Sequence, residues 1–311
     1  MRSQTRIMMP GYDKPLYLLP FDHRHSYVTD MFHLTPPLDA AQHAAVADSK
    51  HVIYEGFQAA VGTGVPKECA AILVDEEFGA DILRDANRQG YVTALSTEQS
   101  GSDEFEFEYG SAFAAHIEAL SPTFAKVLIR YNPDGDAALN DRQRARLRQL
   151  SAYCRGAGRR LMLELLVPAT PAQLQDTGAD KTAFDRQLRP ALMVATIRVM
   201  QDDGVEPDVW KIEGLDERAD CERIVATARR DGRSSVGCIV LGRGADEARV
   251  AAWLTTAASV PGFIGFAVGR TTFWDPVADL LAGKANRSDA VARIAARFRE
   301  WAAIFEQRRL A

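Results

Sequence analysis

The sequence is poor in cysteine, has no block of like charge and no apolar run long enough to span a membrane, and each lack removes a class of protein. Its four cysteines, Cys69, Cys154, Cys221 and Cys238, lie far apart with no Cys-x-x-Cys pair. That spacing argues against a zinc cluster or a disulfide framework and fits reduced thiols, so a cytoplasmic location is expected. The 37 basic and 42 acidic residues give a formal charge of -5 and gather into no patch of one sign. Neither a nucleic-acid surface nor an anionic-membrane surface is indicated, and the expected partner is a small molecule. Met1–Pro10 is basic but lacks the apolar stretch of a secretion signal. No repeat, low-complexity tract or linker divides the chain, and one domain over residues 1–311 is expected.

What is present is a regular alternation of β-rich apolar runs with helical periodicity. The strand candidates are Tyr17–Asp22, Ala70–Asp75, Tyr91–Thr97, Ala125–Tyr131, Arg160–Leu166, Asp208–Glu213, Gly237–Leu241 and Phe263–Phe266. Helical segments follow them at Asp39–Ala60, Phe78–Gln89, Tyr109–Leu120, Asp141–Gly156, Lys181–Asp203, Asp216–Arg230, Asp246–Ala258 and Pro276–Ala282. The first helical segment lies between strands one and two, the last after strand eight. Asp39 and Asp216 are placed to cap helix N-termini, Gly90 and Gly204 to close C-termini in the left-handed conformation. Eight βα units predict a (β/α)8 TIM barrel. An extra C-terminal helix, Ser288–Leu310, sets Ile294, Phe298, Trp301 and Phe305 on one stripe, either against the barrel or at the contact of a homo-oligomer. Glu98–Glu108, rich in Ser, Gly and acid, reads as a long surface loop.

In such a barrel the site lies at the C-terminal ends of the strands, so ionisable residues that interrupt them matter most. Strand one ends in Phe21-Asp22-His23-Arg24, strand four reads Lys126-Val127-Leu128-Ile129-Arg130, strand five carries Glu164, and strand six reads Trp210-Lys211-Ile212-Glu213. Two-residue alternation turns Val127 and Ile129 toward the helices and Lys126 and Arg130 into the barrel, and the same parity turns Lys211 inward. Buried together, Asp22, Lys126, Glu164 and Lys211 are costly unless paired or shifted in pKa, and such clusters mark functional sites. The blander alternative is a polar layer that only satisfies itself.

A lysine amine attacks a carbonyl when unprotonated, and the resulting iminium draws electrons from the adjacent carbon, so carbon–carbon cleavage leaves an enamine with no metal or other cofactor. Lys211 suits the nucleophile, Lys126 the neighbouring charge that eases its deprotonation, Glu164 the acid/base, and Asp22 a second acid/base or an orienting partner. After strand seven comes Gly242-Arg243-Gly244, and after strand eight Gly269-Arg270, where barrels often hold phosphate through backbone N–H groups and a helix N-terminus. Taken alone, each Gly-rich run is also explained by a tight turn.

These residues carry a resemblance. Leu19-Pro20-Phe21-Asp22-His23-Arg24, Leu73-Val74-Asp75-Glu76-Glu77-Phe78-Gly79, Lys126-Val127-Leu128-Ile129-Arg130-Tyr131, Glu164-Leu165-Leu166-Val167-Pro168, Val209-Trp210-Lys211-Ile212-Glu213-Gly214 and Gly265-Phe266-Ala267-Val268-Gly269-Arg270-Thr271 resemble class I aldolases of the tagatose-bisphosphate and sulfofructose-phosphate type. The chain looks more like the aldolase domain fused to a sugar kinase in some inositol-degradation proteins. The resemblance implies Lys211 as the Schiff-base lysine, Glu164 as acid/base, and Asp22 and Lys126 beside them. It also implies phosphate contacts at Gly242, Arg243, Gly269 and Arg270. Its closest form implies 5-dehydro-2-deoxy-6-phosphogluconate as substrate, with dihydroxyacetone phosphate and malonate semialdehyde as products; Arg24 or Arg130 would then meet the carboxylate bidentately. Two departures stand out: His23 replaces the Gln usual in tagatose-bisphosphate enzymes, and no kinase domain accompanies the barrel.

His23-x-His25 also fits a metal-dependent hydrolase on a barrel, but that needs ligands from later strands. His33, His43, His51 and His116 fall in the first connection and in helices. His23 is therefore expected to hydrogen-bond substrate or cap the loop. A barrel that binds sugar phosphate without catalysis is the remaining alternative.

Overall fold

The computed structural model describes residues 10–309, so Met1 to Met9, expected to carry no signal, and Leu310, expected in the last helix, lie outside the described residues. Eight parallel strands close in chain order: β1 (Leu16–Pro20), β2 (Ala70–Val74), β3 (Val92–Ser96), β4 (Phe124–Arg130), β5 (Arg160–Leu166), β6 (Val209–Glu213), β7 (Gly237–Leu241) and β8 (Phe263–Ala267), with β8 returning to β1. The helices are α1 (Ala40–Gly62), α2 (Glu76–Gln89), α3 (Phe113–Leu120), α4 (Ala137–Gly156), α5 (Pro171–Asp176), α6 (Lys181–Gln187), α7 (Arg189–Asp202), α8 (Arg218–Ala228), α9 (Glu247–Ala258), α10 (Arg270–Leu281) and α11 (Arg287–Arg309). The TIM barrel with its extra C-terminal helix is as expected. Among the described residues no helix is long and apolar enough to cross a membrane.

Strand parity sorts the core into two compartments. Leu16, Leu18, Ala71, Leu73, Ala94, Phe124, Met162, Val209 and Ile239 fill the barrel interior, while the alternate residues Tyr17, Leu19, Ile72, Ala125, Val127, Leu163, Trp210 and Ile212 pack under the helices. Tyr12 closes the bottom edge-on against Phe124, with ring centroids 5.1 Å apart. Below it, Asp208 accepts hydrogen bonds of 2.8 Å from the N–H groups of Gly11 and Leu161. The lower barrel is thus apolar and sealed, which leaves the upper layers for chemistry.

The α11 stripe is buried against its own barrel: Phe298 meets Phe57 and Phe266 at 5.8 and 5.9 Å, and Phe305 meets Tyr17 at 5.9 Å. Gly56 of α1 makes this approach feasible, since a Cβ there would stand 2.5 Å from Ile294.

Helix punctuation follows the sequence at Asp39, which forms a capping box with Gln42, at Gly90, with φ +76°, and at Gly204, with φ +77°. It departs elsewhere. Asp216 caps nothing; its carboxylate takes hydrogen bonds from Arg186, Arg249 and Trp253, and α8 begins two residues later. The single helix expected over Lys181–Asp203 breaks at Leu188 and restarts one residue before Pro190, which cannot donate a backbone hydrogen bond. A short helix, α5, precedes it, with Thr170 and Gln173 forming a second capping box. The eighth barrel helix starts at Arg270, six residues before Pro276, and Pro276 sits inside it.

Candidate active site

The register sets the chemistry in layers. Glu164 and Lys211 are lateral partners on β5 and β6, whereas Lys126 pairs with Met162 one step lower on β4 and must reach upward. Lys126 Nζ lies 2.8 Å from Asp22, 2.5 Å from Glu98 and 2.9 Å from Glu164, whose same oxygen stands 2.7 Å from Lys211 Nζ. The four residues singled out from the sequence are therefore brought together, with Asp22 just beyond the end of β1 rather than within it. They floor a cavity of about 390 Å³ at the C-terminal ends of the strands.

Burial by itself pulls Lys126 down, but Asp22, Glu164 and Glu98 outweigh it and hold its ammonium well above the ordinary lysine range. The same burial pushes the carboxyls up; Lys126 and Lys211 reverse it for Asp22 and Glu164, which are held below the usual carboxylate range. Lys126 is thus a fixed ammonium enclosed by acids. Pairing of Lys126 with Asp22 and Glu164 is in keeping with the sequence, and Glu98 adds a third carboxylate that the sequence did not point to. Lys211 has Glu164 as its sole ion-pair partner among the described residues.

Glu98 is the residue that sequence reading misses. It begins the segment read as a surface loop, yet it is 8% exposed. The segment folds back on itself, with Gln99 N–H donating to Glu106 O and Glu108 N–H to Thr97 O, and Phe105 is buried. Arg24 clamps it, pairing with Glu108 at 2.6 Å and donating to the Glu98 carbonyl. The available signal was an apolar residue alternating with acid over Glu104-Phe105-Glu106-Phe107-Glu108, a pattern of one buried face.

Arg24, expected at a substrate carboxylate, lines the cavity but is buried and engaged by the loop. Arg130 lines the cavity, half-exposed, donating to the Ser102 carbonyl at 3.1 Å. Being on β4, it stands across the closed ring from the loop after β8.

At that opposite side, Gly242, Arg243 and Gly244 follow β7, and Gly269 and Arg270 open α10. Arg243 and Gly244 both hold positive φ, +55° and +71°, curling the backbone toward the cavity. No side chain caps α10, which leaves its N-terminus open to an anion. Arg270 lies over this turn, donating to the Arg243 carbonyl at 3.1 Å, and has no salt-bridge partner among the described residues. Arg243, expected at the phosphate, is instead tied to Asp185 at 2.7 Å and Glu213 at 2.9 Å. Buried Glu213 also pairs with Arg189 at 2.9 Å and accepts from the Val167 N–H, so it anchors the rim rather than the reacting centre.

Burial drives His23 down to about 4, against the pull of Asp22, so its ring is neutral at physiological pH. Its Nδ1 is buried without a hydrogen-bond partner, and its carbonyl accepts from Lys50, which pairs with buried Asp75. His25 is exposed, its N–H donating to Ser100. Among the described residues no group of three or more His, Cys, Asp or Glu is arranged to hold a metal ion.

Relatives of known identity lie nearby. Over 165 residues the chain is 28% identical to the tagatose 1,6-diphosphate aldolases of Listeria monocytogenes serotype 4a (strain HCC23) and Listeria innocua serovar 6a, a match taking in 51% of this chain and 47% of each relative. The chain thus spans about half the length of the curated relatives it matches. Its fold is similar to that of the fructose-bisphosphate aldolase of Plasmodium falciparum, with a TM-score of 0.63 over 96% of this chain and 97% of that one at 11% identity. A family model described as "Uncharacterized protein conserved in bacteria" matches residues 8–309, and the chain belongs to that family, DUF2090.

Proposed function

We propose that the protein is a class I aldolase, in which Lys211 forms a Schiff base with a phosphorylated keto-sugar or keto-sugar acid. The observation that carries this reading is the contrast between the two buried lysines. Lys126 is enclosed by three carboxylates, whereas Lys211 has one partner, Glu164, and faces the cavity. Attack by Lys211 moves its proton to the adjacent Glu164 carboxylate. Loss of water from the carbinolamine takes a proton back, and the iminium then accepts the electron pair of the breaking carbon–carbon bond. The likeness to tagatose 1,6-diphosphate aldolases supports the same reaction type.

The open N-terminus of α10 with Arg270 suits a terminal phosphate, and Arg130 across the barrel suits a second anionic end. A substrate with phosphate at one terminus and carboxylate at the other satisfies both, which favours 5-dehydro-2-deoxy-6-phosphogluconate, cleaved to dihydroxyacetone phosphate and malonate semialdehyde. Tagatose bisphosphate or sulfofructose phosphate, with phosphate or sulfonate at that end, is the alternative. Borohydride reduction with dihydroxyacetone phosphate should leave a covalent adduct on Lys211, absent in Lys211→Ala. In Glu164→Gln, cleavage should slow by about 10²–10⁴-fold with substrate binding little changed. Reduction that labels another lysine, or none, would overturn the assignment.

A further inference from the structure

The cavity floor holds carboxyls to which this chemistry gives no step, and Glu98 is the one absent from the inward strand set. Glu98 touches Lys126, makes no ion pair with Lys211, and lines the cavity with Ser100, Ser102 and Arg130. Glu164, by contrast, shares one oxygen between Lys126 and Lys211. The two carboxyls are pushed apart. Burial outweighs Lys126 and holds Glu98 above the usual range, helped by Asp22, while Lys126 and Lys211 draw Glu164 below it. Two carboxyls in one site with opposed proton affinities have the character of an acid and a base. Charge balance points the same way. With Lys211 neutral for attack, three ionised carboxylates would face the single ammonium of Lys126, and a proton held on Glu98 relieves that imbalance. The charged groups facing Glu98 are Lys126 from β4 and Asp22 and Arg24 from the segment after β1.

We propose that Glu98 is a second catalytic carboxyl, which exchanges a proton with the oxygen on the distal half of the substrate while Glu164 serves the nitrogen end at Lys211. The proposal rests on the aldolase reading. Once Lys211 has become a cationic iminium, Glu98 releases its proton to solvent through the cavity mouth, and the ionised carboxylate then takes the proton from the hydroxyl on the departing carbon. The O–H pair becomes the second bond of the aldehyde carbonyl, the carbon–carbon bond breaks, and its electron pair enters the iminium to give an enamine on Lys211. The enamine carbon then takes up one proton from water, and Glu98 is left protonated, as it began. In condensation, protonated Glu98 gives its proton to the aldehyde oxygen as the new bond forms.

The test uses full-length wild type, Glu98→Gln, Glu98→Asp and Glu164→Gln. Two readouts are taken: the borohydride-trapped adduct of dihydroxyacetone phosphate on Lys211, and condensation with whichever of glyceraldehyde 3-phosphate and malonate semialdehyde wild type uses faster. Glu98→Gln should keep the adduct within about twofold of wild type while condensation falls by about 10²–10⁴-fold, with partial recovery in Glu98→Asp. Glu164→Gln should slow both. Condensation at the wild-type rate in Glu98→Gln, or equal loss of adduct and condensation as a displaced loop would give, overturns the proposal. A wild type that forms no adduct, or condenses neither aldehyde, overturns the aldolase reading and this proposal with it.

Discussion

Replacing Lys126 by methionine keeps a long apolar side chain but removes the ammonium, leaving Asp22, Glu98 and Glu164 facing one another in a buried site. Removing one partner of a buried ion pair costs about 3–5 kcal/mol, because the remaining charge is stranded without solvent. Asp22 and Glu164 are held below their unfolded values in the native protein, so their stabilising contribution is fully present above the ordinary carboxylate range, near pH 4, and is lost as pH falls from there through their lowered folded values. In Lys126→Met only Lys211 remains to hold these carboxylates ionised, most of that contribution is gone, and the carboxyls meet the loss by binding protons. The difference between wild type and variant should therefore be greatest near pH 8 and shrink steadily toward pH 4.5. At about 2 °C per kcal/mol, the low end expected for a chain of this length, the full loss lowers Tm by roughly 6–10 °C at pH 8. Urea titrations at both pH values with an unchanged slope provide the free energies. A variant as stable as wild type at pH 8, or one that loses the same amount at both pH values, would refute the caged-ammonium account.

Gly244→Ala places a Cβ 2.6 Å from the Arg270 guanidinium at a φ of +71°. It should raise KM for a phosphorylated substrate about tenfold, roughly 1.4 kcal/mol, with kcat little altered; unchanged KM would separate this turn from phosphate binding. His23, held at about 4 in the fold against an ordinary 6.5, stays neutral while the unfolded chain takes up a proton, so it costs stability as pH falls through that window. His23→Gln should consequently lose less Tm than wild type between pH 7.5 and pH 5, and equal losses would contradict the buried neutral ring.

The barrel and the inward set of Asp22, Lys126, Glu164 and Lys211 were legible in the sequence because strand parity is a local property: Val127 and Ile129 declare one face, and Lys126 inherits the other. Glu98 was not legible, since its burial comes from Arg24, 74 residues away in the chain, folding the segment down. The intramolecular partners of Arg24 and Arg243 were not legible for a related reason. Their positions at strand ends were read correctly, but the carboxylates that engage them, Glu108 for one and Asp185 with Glu213 for the other, come from segments whose approach only the closed barrel sets. The start of α10 was misread because Pro276 resembles a first-turn proline, although the Thr and Phe before it already continue the helix.

The charged floor also bears on how the chain reaches this state. Asp22 and Lys126 are 104 residues apart, and Glu164 and Lys211 arrive from the other half of the chain. None of these groups can shed water at tolerable cost until the ring has shut around all of them, because loop closure must precede the contacts that reward it. The cluster is therefore expected to form late in folding. Substitutions in it should act as a latch removed from the finished barrel, raising the unfolding rate in stopped-flow traces and leaving the refolding rate almost untouched.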